Sequence, residues 1–271
     1  MQNFTFRHIN HLTYLVCEPI ERIGFINAFS TRQTSDSNEF TLGHFSADQR
    51  EQILMNRQRF QVAVGAKQAT LVTAKQIHSA EIRSIENHED ASREPLPGDA
   101  LTANLSNVLL GIQTADCLPI VIVDERTRAF AAIHAGWRGT YSEIAARTVE
   151  RLQQIYDSRP EDLHAALGPA ICAANFEVGP EVLEQFRHKF SYAEALISHL
   201  QPNGKGHLDL NRCNAQQLLD AGLRAEQIYD SALCTVARND LFFSYRKERG
   251  HEQYVGRLMC VVGQGEGEIE R

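Results

Sequence analysis

The sequence predicts an α+β fold in one compact domain, residues 1–271, and three observations carry that prediction. Apolar runs rich in β-branched residues alternate with segments of helical periodicity. Several of the strand-like runs are long and read as antiparallel. Neither a linker-like stretch nor an internal repeat divides the chain.

The elements follow in order. Helical spacing appears at Ile53, Arg57, Phe60 and Val64, and a strand is expected at 69–73. The polar stretch 86–97, with Pro95, Pro97 and then Gly98, reads as a loop. Strands are expected at 108–113, 119–123, 129–134 and 163–167. Helical periodicity returns at Ile144, Thr148, Leu152 and Ile155, and again at Val182, Leu183, Phe186 and Phe190. Leu218 and Leu219 belong to a further helix that Gly222 closes. The runs 231–236, 241–245 and 253–262 read as strands, and the Gly-rich polar tail 263–268 should fray.

The bulk numbers narrow the function. With 271 residues, 43% of them hydrophobic, the chain can bury a sizeable core. A net charge of -7 argues against a general nucleic-acid or anionic-membrane binder. No apolar stretch approaches the roughly 18 residues of a membrane span, and the first residues lack a signal-peptide pattern. The six cysteines (17, 117, 172, 213, 234 and 260) are scattered without a CxxC pair, which points to free thiols in a reducing, cytoplasmic setting.

Three polar knots follow strand-like runs. In Gly111-Ile112-Gln113-Thr114-Ala115-Asp116-Cys117-Leu118-Pro119-Ile120 one apolar run ends and another begins. Pro119 lacks a ladder donor, which places Cys117 at a strand edge or bend. A cysteine there is either a buried small hydrophobe or a working thiol. In Ile133-His134-Ala135-Gly136-Trp137-Arg138-Gly139-Thr140 a strand ends on His134, at the carboxyl end where α/β sheets place ligands. A helix is expected to open at Thr140, with Glu143 completing a capping box. That helix start and Arg138 form a candidate anion site. The plainer reading packs Trp137 and pairs Arg138 with a surface carboxylate. The third knot is Ala74-Lys75-Gln76-Ile77-His78-Ser79, where His78 is either a satisfied polar residue or a ligand. The separations match no short-range zinc motif, so a site from His78, Cys117 and His134 would be tertiary. Two imidazoles and a thiolate leave a fourth tetrahedral position open, as catalytic zinc does.

These segments resemble the family known as YfiH, laccase-domain, multicopper polyphenol oxidase or peptidoglycan editing factor. The resemblance rests on Gln76-Ile77-His78, Gly98-Asp99-Ala100-Leu101-Thr102, Thr114-Ala115-Asp116-Cys117-Leu118-Pro119 and His134-Ala135-Gly136-Trp137-Arg138-Gly139. It continues through Leu167-Gly168-Pro169, Phe176-Glu177-Val178-Gly179, Leu208-Asp209-Leu210-Asn211, Cys234-Thr235, Phe242-Phe243-Ser244-Tyr245-Arg246 and Gly256-Arg257. It implies layered mixed β-sheets flanked by helices and a zinc site at His78, Cys117 and His134. It also implies purine nucleoside phosphorylase activity on adenosine, inosine and methylthioadenosine, with adenosine deaminase activity alongside. Some members are described as oxidising polyphenols, others as correcting peptidoglycan precursors. The chain departs from the family pattern at Asn27-Ala28-Phe29-Ser30-Thr31-Arg32, at Gln33-Thr34-Ser35-Asp36 and at Ala173-Ala174-Asn175. The three metal donors are untouched.

Phosphorolysis needs a bound phosphate, for which Arg32, Arg138 and the helix start are the candidates. Asp116 or Asp99 would orient a ligand histidine or bind a ribose hydroxyl. Deamination needs a metal-activated water. The HxE and PCxxC motifs of the zinc nucleobase deaminases are absent. A His2Cys site also accepts Cu2+. No two of the eleven histidines are separated by a single residue, however, so a trinuclear copper cluster is not expected. The remaining reading is a hydrolase with Cys117 as nucleophile and His134 as base, acting on a peptidoglycan precursor. Small molecules are the expected partners, and the oligomeric state is left open.

Overall fold

The computed structural model describes residues 3–35, 37, 39–43, 49–250 and 254–265. Strands β1 (Phe4–Ile9), β2 (Leu12–Cys17) and β3 (Phe25–Thr34) surround the short helix α1 (Glu18–Arg22). Helix α2 (Arg50–Ala63), β4 (Thr70–Thr73), β5 (Ile82–Ile85), α3 (His88–Ala91) and β6 (Ala100–Ala103) follow. The centre holds β7 (Val108–Thr114), β8 (Leu118–Asp124), β9 (Phe130–Ala135), α4 (Trp137–Tyr141), α5 (Ile144–Tyr156) and β10 (Leu163–Leu167). Then come β11 (Glu177–Val178), α6 (Pro180–Lys189), β12 (Ile197–Ser198), β13 (Gly206–Leu208), α7 (Leu210–Asp220), β14 (Ile228–Asp230), α8 (Tyr245–Glu248) and β15 (Leu258–Gln264).

Two mixed six-stranded sheets form the body, ordered β1-β2-β3-β15-β7-β4 and β14-β10-β8-β9-β6-β5. Each is antiparallel apart from parallel pairs at its margins, β4 with β7 in the first, and β5 with β6 and β10 with β14 in the second. Side-chain alternation builds the layers. In β8, Val121 and Val123 pack with Leu110, Ile112 and Phe29 of the first sheet, so this core lies between the sheets. Ile120 and Ile122 point the other way, onto Ile144, Val149 and Leu152 of α5 and Leu218 of α7. The outer face of the first sheet is covered by Phe60 and Ala63 of α2. The stack is therefore helix, sheet, sheet, helices. A small sheet, β11-β13-β12, packs with α6 beside it.

Local chemistry sets the ends. Asp209 caps α7 by accepting from the Arg212 N–H at 2.9 Å. Gly222, expected to close that helix, takes the left-handed φ of 99° that favours glycine. Pro180 stands at the start of α6, where its missing N–H costs nothing.

Several expectations need correction. The runs 231–236 and 241–245 are not strands, and only Cys234 makes an isolated bridge, to Ala170. In 241–245, Leu241, Phe242 and Phe243 are buried in a cluster with Val255 and Leu258 under irregular backbone, and Leu233 of 231–236 packs against it only partly buried. The strand expected at 253–262 begins only at Leu258, and Gln253 lies outside the described residues. Of the expected frayed tail, Gly263 and Gln264 belong to β15, while 266–268 lie outside the described residues. Within 86–97 a single helical turn, α3, forms because the Asn87 side chain caps it by accepting from the Asp90 N–H.

Candidate metal centre

His78, Cys117 and His134 meet at one end of the gap between the two sheets. Along β9, Phe130 and Ala132 face the inter-sheet core, and His134 continues that side at the strand end. Cys117 sits in the bend between β7 and β8, just before Pro119. His78 lies in the segment after β4, with a left-handed φ of 56° that is costly for a residue with a side chain. One donor atom from each residue lies within 4.8 Å of the other two. Three atoms so spaced fall within about 3 Å of a common point, close to the ~2.0–2.3 Å of zinc bonds. The rings of His78 and His134 stand edge to face, 4.8 Å between centroids.

Asp99 builds this arrangement. The β6–β9 register pairs Ala100 with Ile133, which makes Asp99 the neighbour of His134. Its carboxylate is fully buried and contacts His134 Nδ1 at 2.8 Å. It also accepts the backbone N–H groups of His78 at 3.0 Å and Ser79 at 2.6 Å, and the Ser79 hydroxyl at 2.7 Å. Burial alone would raise its pKa, but His134 and Ser79 bring it down to about 2. An ionised carboxylate only accepts, so His134 Nδ1 carries the proton and Nε2 faces the centre.

The thiol is likewise tuned. Burial pushes Cys117 up, yet His134 and His78 outweigh it and bring the thiol down to about 6. Burial pushes His134 down, yet the Cys117 thiolate and Asp99 raise it to about 9. Between those values the pair is a thiolate and an imidazolium. Gly136 gives the sulfur its room, since a Cβ there would stand 2.9 Å from Cys117 Sγ and 3.3 Å from His78 Nδ1.

The three donors open into a cleft of about 640 Å³, also lined by Lys75, Gln76, Gln113, Tyr245 and Arg257. Small-molecule sites span roughly 300–1,000 Å³. The Gln76 amide braces the wall by donating to the Gln113 carbonyl at 2.7 Å and accepting its N–H at 2.8 Å. Lys75 and Arg257 lie in segments that the sequence singles out, but their charge alone assigns neither to the site.

The other candidates lie elsewhere. Arg32 is buried, paired with Glu248 at 2.6 Å and Glu39 at 2.7 Å, with its guanidinium over Phe243. Arg138 is exposed and stacks on Trp137 at 4.3 Å. Neither lines this cleft. Asp116 accepts from the Thr235 hydroxyl at 2.5 Å and the Arg246 N–H at 2.6 Å, so it anchors the Cys117 bend. The expected helix start also moves. Gly136 precedes α4, Thr140 lies inside it, and Glu143 adopts a left-handed φ of 60° that separates α4 from α5. The Thr140 hydroxyl accepts from Asn214 rather than capping.

Fold and centre together define a layered α+β protein with a thiolate–imidazole cluster in an open cleft. Residues 26–264 match the family described as multi-copper polyphenol oxidoreductase laccase, and the chain belongs to it. It is 33% identical to adenosine deaminase RL5 of an unknown prokaryotic organism over 82% of this chain and 88% of that protein. It is 35% identical to a purine nucleoside phosphorylase of Deinococcus radiodurans, over 80% of this chain and 79% of the relative. The crystal structure of YlmD from Geobacillus stearothermophilus superposes with a TM-score of 0.86 at 29% identity, covering 96% of this chain and 99% of that one.

Proposed function

We propose that the chain is a zinc-dependent purine nucleoside phosphorylase of adenosine, inosine and methylthioadenosine, with adenosine deaminase activity at the same centre. The observation that carries this reading is the convergence of His78, Cys117 and His134 in a nucleoside-sized cleft. Relatives named for both activities support it.

The donor set fits zinc. It supplies one soft thiolate and two imidazoles, with Asp99 fixing the ring of His134 as carboxylates do for zinc-bound histidines. Bound there, zinc would supply Lewis acidity and an activated water. In phosphorolysis a phosphate oxygen bonds to the ribose C1′ as the bond to the purine nitrogen breaks, and the purine gains a proton. Lys75 and Arg257 bring positive charge to the cleft for the phosphate. Arg32 already balances Glu248 and Glu39, so its assignment to phosphate is the weaker one. Arg138 remains a candidate contact from outside the cleft. Asp99 keeps the Nδ1 proton in place, and the Gln76–Gln113 pair holds the wall rigid. No helix among the described residues is long and apolar enough to cross a membrane, and the described cysteines are all free. We place the enzyme in the cytoplasm on the strength of those thiols.

One observation favours a second reading. Cys117, His134 and Asp99 stand in the order of a nucleophile, its base and an orienting carboxylate, as a cysteine hydrolase needs. Copper oxidation has the family description behind it, but a single His2Cys set among the described residues. Metal analysis of the purified protein, paired with a nucleoside screen with and without phosphate, tests all three. Stoichiometric zinc and phosphate-dependent release of purine base are expected. Metal-free protein that keeps full activity would overturn the zinc reading, and nucleoside turnover indifferent to phosphate would overturn the phosphorylase.

A further inference from the structure

A second thiol site lies behind the centre. Cys234 Sγ accepts the backbone N–H of Cys172 at 3.3 Å. The Asn175 side-chain amide reaches both sulfurs, Cys172 Sγ at 3.2 Å and Cys234 Sγ at 3.4 Å. The parallel bridge between Ala170 and Cys234 brings the two segments together. Both cysteines are free, Cys172 partly exposed and Cys234 9% exposed. They are 62 residues apart, so no short motif announces them.

Their neighbours in sequence hold the Cys117 bend. Ile171, just before Cys172, donates its N–H to the Asp116 carbonyl at 2.9 Å. Thr235, just after Cys234, donates its hydroxyl to Asp116 Oδ1 at 2.5 Å. Arg246 ties the same parts together, donating its N–H to Asp116 Oδ2 and its guanidinium to the Asn175 carbonyl at 3.2 Å. Asp116 adjoins Cys117 in the chain, so any shift of 170–176 against 231–236 acts on the bend through three hydrogen bonds.

We propose that Cys172 and Cys234 are a peroxide-sensitive dithiol whose disulfide displaces the Cys117 bend and weakens the centre. Cys234 is the attacking sulfur. Burial opposes its ionisation, but Cys172 and the backbone N–H groups of Ala237, Cys172 and Val236 hold it below the ordinary thiol range. Burial raises Cys172, which suits the resolving partner. The Cys234 thiolate attacks one peroxide oxygen, the O–O bond breaks, and hydroxide leaves with a sulfenic acid on Cys234. Cys172 then attacks that sulfur, the S–O bond breaks, and a second hydroxide leaves. The two thiol protons convert both hydroxides to water, so peroxide is reduced by the two electrons the sulfurs lose. A dithiol reductant reverses the change.

The test treats zinc-loaded, full-length protein with hydrogen peroxide and maps its cysteines by mass spectrometry. A peptide pair crosslinked through Cys172 and Cys234, and released by dithiothreitol, is expected. In Cys172→Ser a Cys234 sulfenic acid trappable by dimedone should replace it. Bound zinc and the rate of Cys117 alkylation after zinc removal are read in the same samples. Both should fall severalfold in the crosslinked form and recover on reduction. Absence of the Cys172–Cys234 crosslink in folded protein, or a crosslink that leaves zinc retention and Cys117 reactivity unchanged, overturns the proposal. None of these readings depends on nucleoside turnover.

Discussion

Asp99 contacts His134 Nδ1 at 2.8 Å while accepting the backbone N–H of His78, so one buried carboxylate sets the posture of both histidines. Asp99→Asn should keep one acceptor but turn an NH2 group toward donors such as the Ser79 N–H and hydroxyl. Zinc affinity is expected to fall about 10–100-fold, the usual cost of losing a group behind a metal ligand. Competition with a chromophoric chelator measures it, and unchanged affinity would remove Asp99 from the design.

The same carboxylate gives a pH signature. Its pKa of about 2 in the folded chain lies below the ~3.9 of an unfolded aspartate. The stability it contributes is therefore present above about pH 4 and lost as pH falls through about 2. The gap in urea midpoint between wild type and Asp99→Asn should narrow over that window.

Alkylation at mildly acidic pH should separate Cys117 from Cys17, Cys213 and Cys260. In metal-free protein its rate with iodoacetamide should rise through about pH 6 and then level, because the thiolate is the nucleophile. Cys17, Cys213 and Cys260 are buried, and that burial pushes each up to about 12, so they should stay unlabelled. A Cys117 profile rising near pH 8.5 would show that the imidazoles do not act on it.

Cys117→Ala should abolish metal retention and phosphorolysis together, whereas Cys213→Ala should leave both largely intact. Metal analysis and a base-release assay on the same preparations check this. Full metal with lost activity in Cys117→Ala would favour the nucleophile reading.

Gly136→Ala probes the space around the sulfur. Gly136 has an ordinary φ of -72°, so alanine strains no backbone, yet its Cβ would press on Cys117 Sγ. Crowding of this kind costs about 1–3 kcal/mol. Zinc binding should weaken roughly tenfold or more, with the thermal midpoint lowered by about a few degrees. Wild-type zinc affinity in this variant would show that the bend yields freely.

Phosphate kinetics separate the cations. Lys75→Ala should raise the phosphate KM severalfold, and Arg138→Ala should raise it less, because only Lys75 lines the cleft. The reverse order would move the phosphate to the α4 side.

The central strands were legible because both of their faces are buried. The run expected at 163–167 is β10 as observed, and those at 108–113 and 119–123 fall within β7 and β8. The helices around Ile53, Ile144 and Val182 showed the same clarity through their buried stripes. Residues 241–245 misled because apolar content records burial, and Leu241, Phe242 and Phe243 are buried without a ladder, whereas in 231–236 Cys234 is the one buried apolar residue and makes an isolated bridge. His78, Cys117 and His134 could be nominated from strand-end position and resemblance. Asp99 stayed one of two alternatives, since its place beside His134 depends on the β6–β9 register, a long-range pairing.

The position of β15 bears on how the chain is made. This late segment lies inside its sheet, with β3 on one side and β7 on the other. Until the ribosome has released Leu258–Gln264, two hydrogen-bonding edges stay open, and Arg257 has not yet reached the cleft. A nascent chain therefore exposes sticky edges until β15 emerges and closes them by insertion. Premature termination anywhere before β15 should yield aggregates and chaperone clients rather than a smaller working enzyme.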